Sequence, residues 1–343
     1  MAAHQRPGNS EFYRYRNALS SALMKHRHFH LLEKLQVQLA AVAALLVVYF
    51  GLWPVLRPSD PNDPVVFVAT ESAGLASMFA AAMWGLAALC ALVTITARPE
   101  GGLLAALVGL GGMSLRSAGM RPLLWTGNGS LRGLYGQLLA ELALLLVLGA
   151  VAIIAVAVVR WVVGRLHPKW LWRDPLPNAA ADEGGGTLRE RLGRVLGGRA
   201  WPSGARGKPG NAARTAQFLA AATGLSLVFV VLLLRSPDRG QILFALFAGF
   251  ALGFLIAHQF VPAALPLIAW VVPLIVGAGF YVLAVVQVGA VPPEKWMTVP
   301  AYARVLPVDW LTAGGGGALL GYLISSRIHE ARHIEEQEQA GAE

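Results

Sequence analysis

The chain has 343 residues, of which 56% are hydrophobic and only 14% are charged, with a formal net charge of +9. Soluble domains carry about 25% charged residues, so the composition excludes an ordinary soluble protein. A single cysteine, Cys90, excludes an intramolecular disulfide framework and a cysteine-based zinc site.

Eight apolar stretches organise the sequence. All 28 Lys and Arg residues lie between the stretches, as do 18 of the 19 Asp and Glu residues. A charge at the centre of a bilayer costs about 2.5 kcal/mol or more, and backbone groups in lipid must be satisfied within their own segment. The pattern therefore predicts an all-α polytopic transmembrane bundle with spans at residues 37–56, 72–96, 101–115, 134–159, 215–234, 240–258, 262–286 and 310–326.

Residues 1–36 form a basic, partly amphipathic segment that is predicted to be cytoplasmic. Apolar residues recur at helical spacing over residues 12–35, which indicates either a helix lying in the membrane interface or an ordinary lead into the first span. The apolar run that follows exceeds the 7–15 residues of a signal-peptide core, so it is interpreted as a retained span.

The first membrane half, residues 37–159, contains the weakest predicted span. Residues 101–115 cover about 22 Å of a core of about 30 Å and include Gly109, Gly111 and Gly112. The crossing is retained because without it the basic loop that begins at residue 160 would lie outside.

Glu141 is the one acidic residue inside a predicted span, and Gln137 lies one turn before it. An ionisable residue within the membrane is a functional hypothesis by default, such as a proton or cation relay. However, residues 142–159 alone cover about 27 Å, which nearly fills the bilayer. Glu141 is therefore expected at the outer interface, solvated or paired with Arg132, with a buried functional role as the alternative.

Residues 160–214 form a basic cytoplasmic loop. Thr187 and Glu190 have the spacing of a capping box, which predicts a short amphipathic helix with Arg residues on its polar side. Such a helix between flexible arms is suited to anionic lipid headgroups or a protein partner. The alternative is a simple excess of positive charge on the cytoplasmic side.

The second membrane half, residues 215–326, contains His258 at the end of span six, where the helix dipole favours a histidine. Span seven contains Pro262, Pro266 and Pro273. It corresponds to the glycine-rich third span of the first half, and interrupted helices at matching positions indicate a substrate site. The alternative is the ordinary Gly and Pro content of membrane helices.

Residues 327–343 form a charged cytoplasmic helix that contains His329-Glu330-Ala331-Arg332-His333. These five residues resemble the H-E-x-x-H signature of the zincin metalloproteases. The resemblance implies Zn²⁺ binding by His329 and His333, with Glu330 as the general base. No third ligand follows at the usual distance, and the same residues suit a helix with charge pairs such as Arg327 and Glu330.

The distribution of basic residues predicts the orientation. With a cytoplasmic N-terminus, 20 of the 28 Lys and Arg residues face the cytoplasm and eight face outward. Both termini are then cytoplasmic, and the basic charge follows topology, which argues against nucleic acid as a partner. The expected location is a cell membrane, as in a bacterial inner membrane.

Two classes of function fit these features. The first, which is favoured, is a non-enzymatic membrane subunit or scaffold, or a small-solute permease, whose partners are the bilayer, anionic headgroups and a membrane protein or second copy. The scarcity of charge within the spans favours the subunit. The alternative is a membrane-bound zinc metallopeptidase using the motif at residues 329–333; no other cofactor is predicted.

Overall fold

The computed structural model describes residues 32–60, 62–70, 72–126, 130–167, 211–262 and 269–340, and within these ranges it is all-helical without strands. Nine helices are labelled in chain order: α1 (Leu32–Leu56), α2 (Ala73–Val93), α3 (Pro99–Arg116), α4 (Arg121–Thr126), α5 (Leu131–Leu166), α6 (Asn211–Leu233), α7 (Arg239–Phe260), α8 (Val271–Gln287) and α9 (Gly315–Ala340).

Five of these helices are long and apolar enough to cross a membrane, judged by length and composition: α1, α2, α5, α6 and α7. Helix α8 is apolar but shorter, with 17 residues. The prediction of an all-α protein with membrane-spanning helices is confirmed to this extent. The five helices coincide with the first, second, fourth, fifth and sixth predicted spans.

Two helices depart from α geometry at the same end of the bundle. Residues Val47–Leu52 of α1 are π-helical, and a second π-helical turn, Trp310–Gly314, leads into α9. The connection between α8 and α9 contains two 3₁₀ turns, Pro293–Thr298 and Ala301–Arg304. Such π turns are often associated with functional sites.

In the first half, α1 and α3 run parallel to each other. The backbone of Gly101 approaches Val37, and further along both helices the backbone of Gly109 approaches Ala44. Helix α2 returns between them, and Leu86 of α2 also contacts Gly109. Helix α5 runs parallel to α2 and packs against it.

In the second half, α7 packs between α6 and α9. Gly249 and Gly253 of α7 lie against Val230 and Ser226 of α6, so these two helices are antiparallel. Glycines spaced by four residues let two membrane helices approach at backbone distance.

Helix α9 packs against the other side of α7, again through glycines spaced by four residues. Gly317 lies against Phe247 and Gly321 lies against Ala251. Because both residue numbers increase together, α7 and α9 are parallel. The chain between them therefore returns to its starting side of the bundle.

The predicted interruption of the third span is wrong. Helix α3 continues without a break through Gly109, Gly111 and Gly112, and twelve of its 18 residues are buried. It packs against α1, α2 and α9. Glycine at positions 109 and 112 admits the backbone of α1, so close packing accounts for these two residues.

Pro262 and Pro273 of predicted span seven lie at the ends of helices and do not interrupt them. Pro262 follows the end of α7. Pro273 is the third residue of α8, where a missing backbone N–H interrupts no helical hydrogen bond. Pro266 lies outside the described residues.

Two predicted boundaries fall within continuous helices. Helix α5 continues to Leu166, so the predicted loop at 160–214 does not begin at Arg160. Helix α9 continues through the predicted boundary between 326 and 327. The predicted interfacial helix at 12–35 and the capping box at Thr187 fall almost entirely outside the described residues.

Candidate functional site

Glu141 is fully buried on α5, so the expectation of a solvated interfacial carboxyl is wrong. Its Oε2 atom accepts hydrogen bonds from the backbone N–H groups of Phe67 at 2.9 Å and Val68 at 3.2 Å. These residues belong to the segment that joins α1 to α2. The carboxyl therefore anchors that connection to the bundle.

The second oxygen of Glu141, Oε1, is buried and has no hydrogen-bond partner among the described residues. The side-chain oxygen of Gln137, Oε1, is also buried and also has no hydrogen-bond partner among the described residues. Residues four apart on a helix are neighbours on one face. Two acceptors without donors thus occur together on α5.

Two tyrosines lie near this part of the bundle, and both hydroxyl groups are engaged. Tyr281 of α8 donates to the carbonyl of Val305 at 2.6 Å, and Tyr135 of α5 donates to the carbonyl of Ala303 at 3.0 Å. The rings of Tyr135 and Tyr281 lie close together, with centroids 6.1 Å apart. The tyrosines therefore fasten the 3₁₀ connection to α5 and α8.

Asp309 is fully buried at the start of the π-helical turn and forms an ion pair with Arg239. Arg239 Nη2 donates to Asp309 Oδ1 at 2.6 Å, and Arg239 Nη1 donates to Oδ2. Arg239 also donates to the carbonyl of Ser114 at 2.7 Å and 2.9 Å. The pair therefore joins α7, α3 and the start of α9.

This pair was not predicted, because Asp309 stands just outside predicted span eight, which begins at residue 310. Asp309 lies between Val308 and Trp310, both of which are buried. An acidic residue flanked directly by large apolar residues was the signal that could have found it. The partner could not be predicted from the sequence, because residue 239 is 70 positions away along the chain.

A second ionic cluster lies at the opposite end of the bundle. Arg98 Nη2 donates to both carboxylate oxygens of Glu330 at 2.5 Å. Arg327 contacts Glu33 at 3.1 Å, and Arg98 Nε lies 3.8 Å from the same carboxylate. The start of α1, the corner before α3 and the distal part of α9 are thereby joined.

The electrostatics of this cluster favour charged Arg98. Burial by itself disfavours the guanidinium ion, but the carboxylates of Glu330, Glu100 and Glu33 outweigh it and raise the pKa of Arg98 above its ordinary value. The predicted pairing of Arg327 with Glu330 along one helix is replaced by pairing between elements.

The H-E-x-x-H motif lies on α9, as a zinc-binding motif of this kind requires. Its Glu330 is in the ion pair with Arg98, and Nε2 of His329 lies 3.1 Å from the carbonyl oxygen of His258. The side chain of His333 is outside the described set. The described side chains form no group of three metal-binding residues, and zinc binding remains a prediction.

His258 is buried in the last turn of α7, where it was expected. Its Nδ1 atom lies 2.9 Å from Ser325 Oγ of α9, and its ring centroid lies 5.3 Å from that of His329. His258 thus belongs to the polar contact between α7 and α9.

Aromatic side chains fill the region where the two halves meet. Trp310 stacks on Phe280 with ring centroids 5.6 Å apart, and its ring covers Gly277 of α8. Trp270 likewise packs onto Gly149 of α5. Glycine provides the room for each indole ring.

Comparison with known proteins finds no matching family model, no similar curated protein and no similar solved structure. The fold defines the class of protein, a helical protein with helices suited to a membrane. Any more specific function rests on the geometry of the buried polar contacts.

Proposed function

We propose that this protein is an eight-span, non-catalytic membrane subunit or scaffold with both termini in the cytoplasm. In this proposal α3, α8 and α9 also cross the membrane. The buried charged residues join the helices to one another, and the apolar outer faces contact lipid and a partner, either another membrane protein or a second copy. The expected location is a cell membrane.

The directions of the helices support eight crossings. Helices α1 and α3 are parallel, so α3 extends across the same layer as α1 despite its short apolar stretch. Helices α7 and α9 are also parallel, and α8 is the helix that returns the chain between them. Its 17 residues extend over about 26 Å, close to the hydrocarbon thickness.

The observation that carries the proposed role is the pairing of Asp309 with Arg239. A buried carboxylate that binds a guanidinium and holds three elements together is suited to a fixed architecture. A permease for polar solutes needs polar groups that exchange partners with its cargo. The aromatic packing around Trp310 supports the same conclusion.

Native mass spectrometry of protein extracted in lipid nanodiscs tests this role. We expect a particle of fixed stoichiometry that is heavier than one copy of the chain. Liposomes containing the purified protein should show the same solute flux as protein-free liposomes. A monomeric particle together with solute flux above that control would contradict the subunit role and favour the permease.

A zinc metallopeptidase is the second candidate, because the H-E-x-x-H motif lies on a helix. The engagement of Glu330 by Arg98 argues against a general base at this position. Metal analysis separates the two candidates. Zinc at one equivalent in the wild type, lost in both His329→Ala and His333→Ala, would support the enzyme.

A further inference from the structure

Glu141 of α5 is fully buried, and no cationic side chain among the described residues is in contact with its carboxyl group. Its Oε2 atom accepts two backbone N–H groups, whereas Oε1 accepts nothing. Asp309, equally buried, is paired with Arg239. A buried charge without a counterion or a full set of donors is unstable in a low-dielectric interior.

Gln137 adds an independent observation. Its Oε1 atom is buried and also lacks a donor, and it projects from the adjacent turn of the same helix face. Two neighbouring acceptors are both satisfied by one hydrogen atom placed between them. A protonated carboxyl supplies that hydrogen, because it has one O–H donor and keeps acceptor capacity on the other oxygen.

We propose that Glu141 and Gln137 form a proton-binding site. Glu141 holds the proton on Oε1 and donates it toward Oε1 of Gln137, while Oε2 continues to accept from Phe67 and Val68. The bound species is a proton taken from water, so no other reactant is needed. This site goes beyond the proposed structural role and does not depend on it.

Among the described residues no group donates to Oε1 of Glu141, and the Nε2 amide group of Gln137 is the donor that would compete with a bound proton. Tyr281 on α8 and Tyr135 on α5 direct their hydroxyl hydrogens to backbone carbonyls. Asp309, before α9, is matched by Arg239 of α7. From the α1–α2 connection, Glu141 receives the two backbone N–H groups.

Infrared spectroscopy of the purified protein at neutral pH tests the proposal. We expect the wild type to show the carbonyl stretch of a protonated carboxyl, and Glu141→Gln to lose it. Asp238→Asn is the matched control, because Asp238 is exposed and should lose only carboxylate absorption. Loss of carboxylate absorption in Glu141→Gln, with no change in the protonated band, would overturn the proposal.

Gln137→Leu tests the acceptor. The protonated carbonyl band should persist but shift, because the O–H group loses its partner. An unshifted band would remove Gln137 from the site.

Modification by dicyclohexylcarbodiimide, which reacts with protonated carboxyls, distinguishes a proton from a metal cation. We expect an adduct at Glu141 whose yield is equal in sodium chloride and choline chloride. Protection by sodium alone would overturn the proton site in favour of a sodium site.

Discussion

Asp309 shows how a buried charged side chain of this protein is stabilised by the partners that surround it. Asp309 is fully buried, yet it accepts from Arg239 and from the backbone N–H of Leu306 at 3.1 Å. A buried ion pair of this kind contributes little relative to an apolar pair, but removing one member leaves an uncompensated charge. Arg239 would then remain among apolar helices with only the Ser114 carbonyl.

Asp309→Ala should lower the free energy of unfolding by about 3 kcal/mol, because it leaves the Arg239 guanidinium without its counterion. The change is measured by thermal unfolding in detergent, with the fraction of monodisperse protein recorded at each temperature. Asp238→Ala removes an exposed carboxylate next to Arg239, at the N-cap of α7 where it makes no capping hydrogen bond, and should lower stability by no more than about 1 kcal/mol. Equal effects of the two variants would show that the buried pair has no special role.

Close helix packing in the second half depends on glycine at defined positions. A Cβ atom added at Gly253 would lie 2.7 Å from the Cα atom of Ser226 on α6. A Cβ atom added at Gly279 of α8 would meet no atom within 4 Å. The two glycines are chemically identical, and their neighbours alone make one of them necessary.

Gly253→Ala should destabilise the protein by about 2 kcal/mol, because α6 and α7 must separate to admit the methyl group. Gly279→Ala should be neutral or stabilise by up to about 1 kcal/mol, since alanine is the better helix former. Thermal unfolding of both variants in the same detergent measures the difference. A tolerated Gly253→Ala would show that the α6–α7 contact is looser than described.

The distal part of α9 is held to the bundle by the Arg98–Glu330 pair. Glu330→Gln removes the carboxylate that binds Arg98, so the distal part of α9 should detach from the bundle more often. The free energy of detachment should fall by about 1 kcal/mol, which raises the population of the detached form about fivefold. Limited trypsin digestion at Arg332 should accelerate by a similar factor. Glu335→Gln, on the exposed side of the same helix, should leave the digestion rate unchanged.

The long helices of the described residues alternate in direction along the chain, with ionic contacts at both ends of the bundle. The Arg239–Asp309 pair lies at one end, where α3 finishes and α7 begins. The Arg98–Glu330 pair lies at the other end, where α1 begins. In the proposed orientation the first end faces outward and the second faces the cytoplasm, in agreement with the excess of basic residues there.

Labelling of single cysteines tests this orientation in a Cys90→Ala background. We expect an impermeant maleimide to label Asn62→Cys and Met297→Cys in intact cells, because both positions are exposed and lie on connections that face outward in the proposed orientation. Gln339→Cys, exposed near the end of α9, should be labelled only after permeabilisation. Labelling of positions 297 and 339 from the same side would contradict a membrane crossing by α9.

Helix positions were predictable to a large extent, because the penalty for placing charge or unpaired backbone in lipid acts on each segment separately. The ends were less predictable. Helix α5 extends past Arg160, whose Nη2 donates to the carbonyl of Ala97 at 3.0 Å. An arginine at a predicted helix end can therefore lie inside the helix, because its long side chain reaches a backbone carbonyl of a neighbouring segment.

The candidate site was predictable only in part. Glu141 stands out in the sequence, but its burial was not predicted, because the apolar run after it already fills a bilayer and left this carboxyl expected in solvent. Its backbone partners at Phe67 and Val68 are more than 70 positions away, so no local pattern indicates them. Glycines 109 and 112 were likewise candidates for a helix break, with the ordinary glycine content of membrane helices as the alternative, since local propensity does not reveal which backbone packs beside them.

The amino-acid sequence was sufficient for the class of protein and for most of its helices, since these depend on the hydropathy and charge of contiguous segments. The choice of ion-pair partners required the folded chain. Arg98 and Glu330 are 232 positions apart, and Arg239 and Asp309 are 70 apart. Such pairs form because helix packing brings distant side chains together in a medium where charge without a partner is costly.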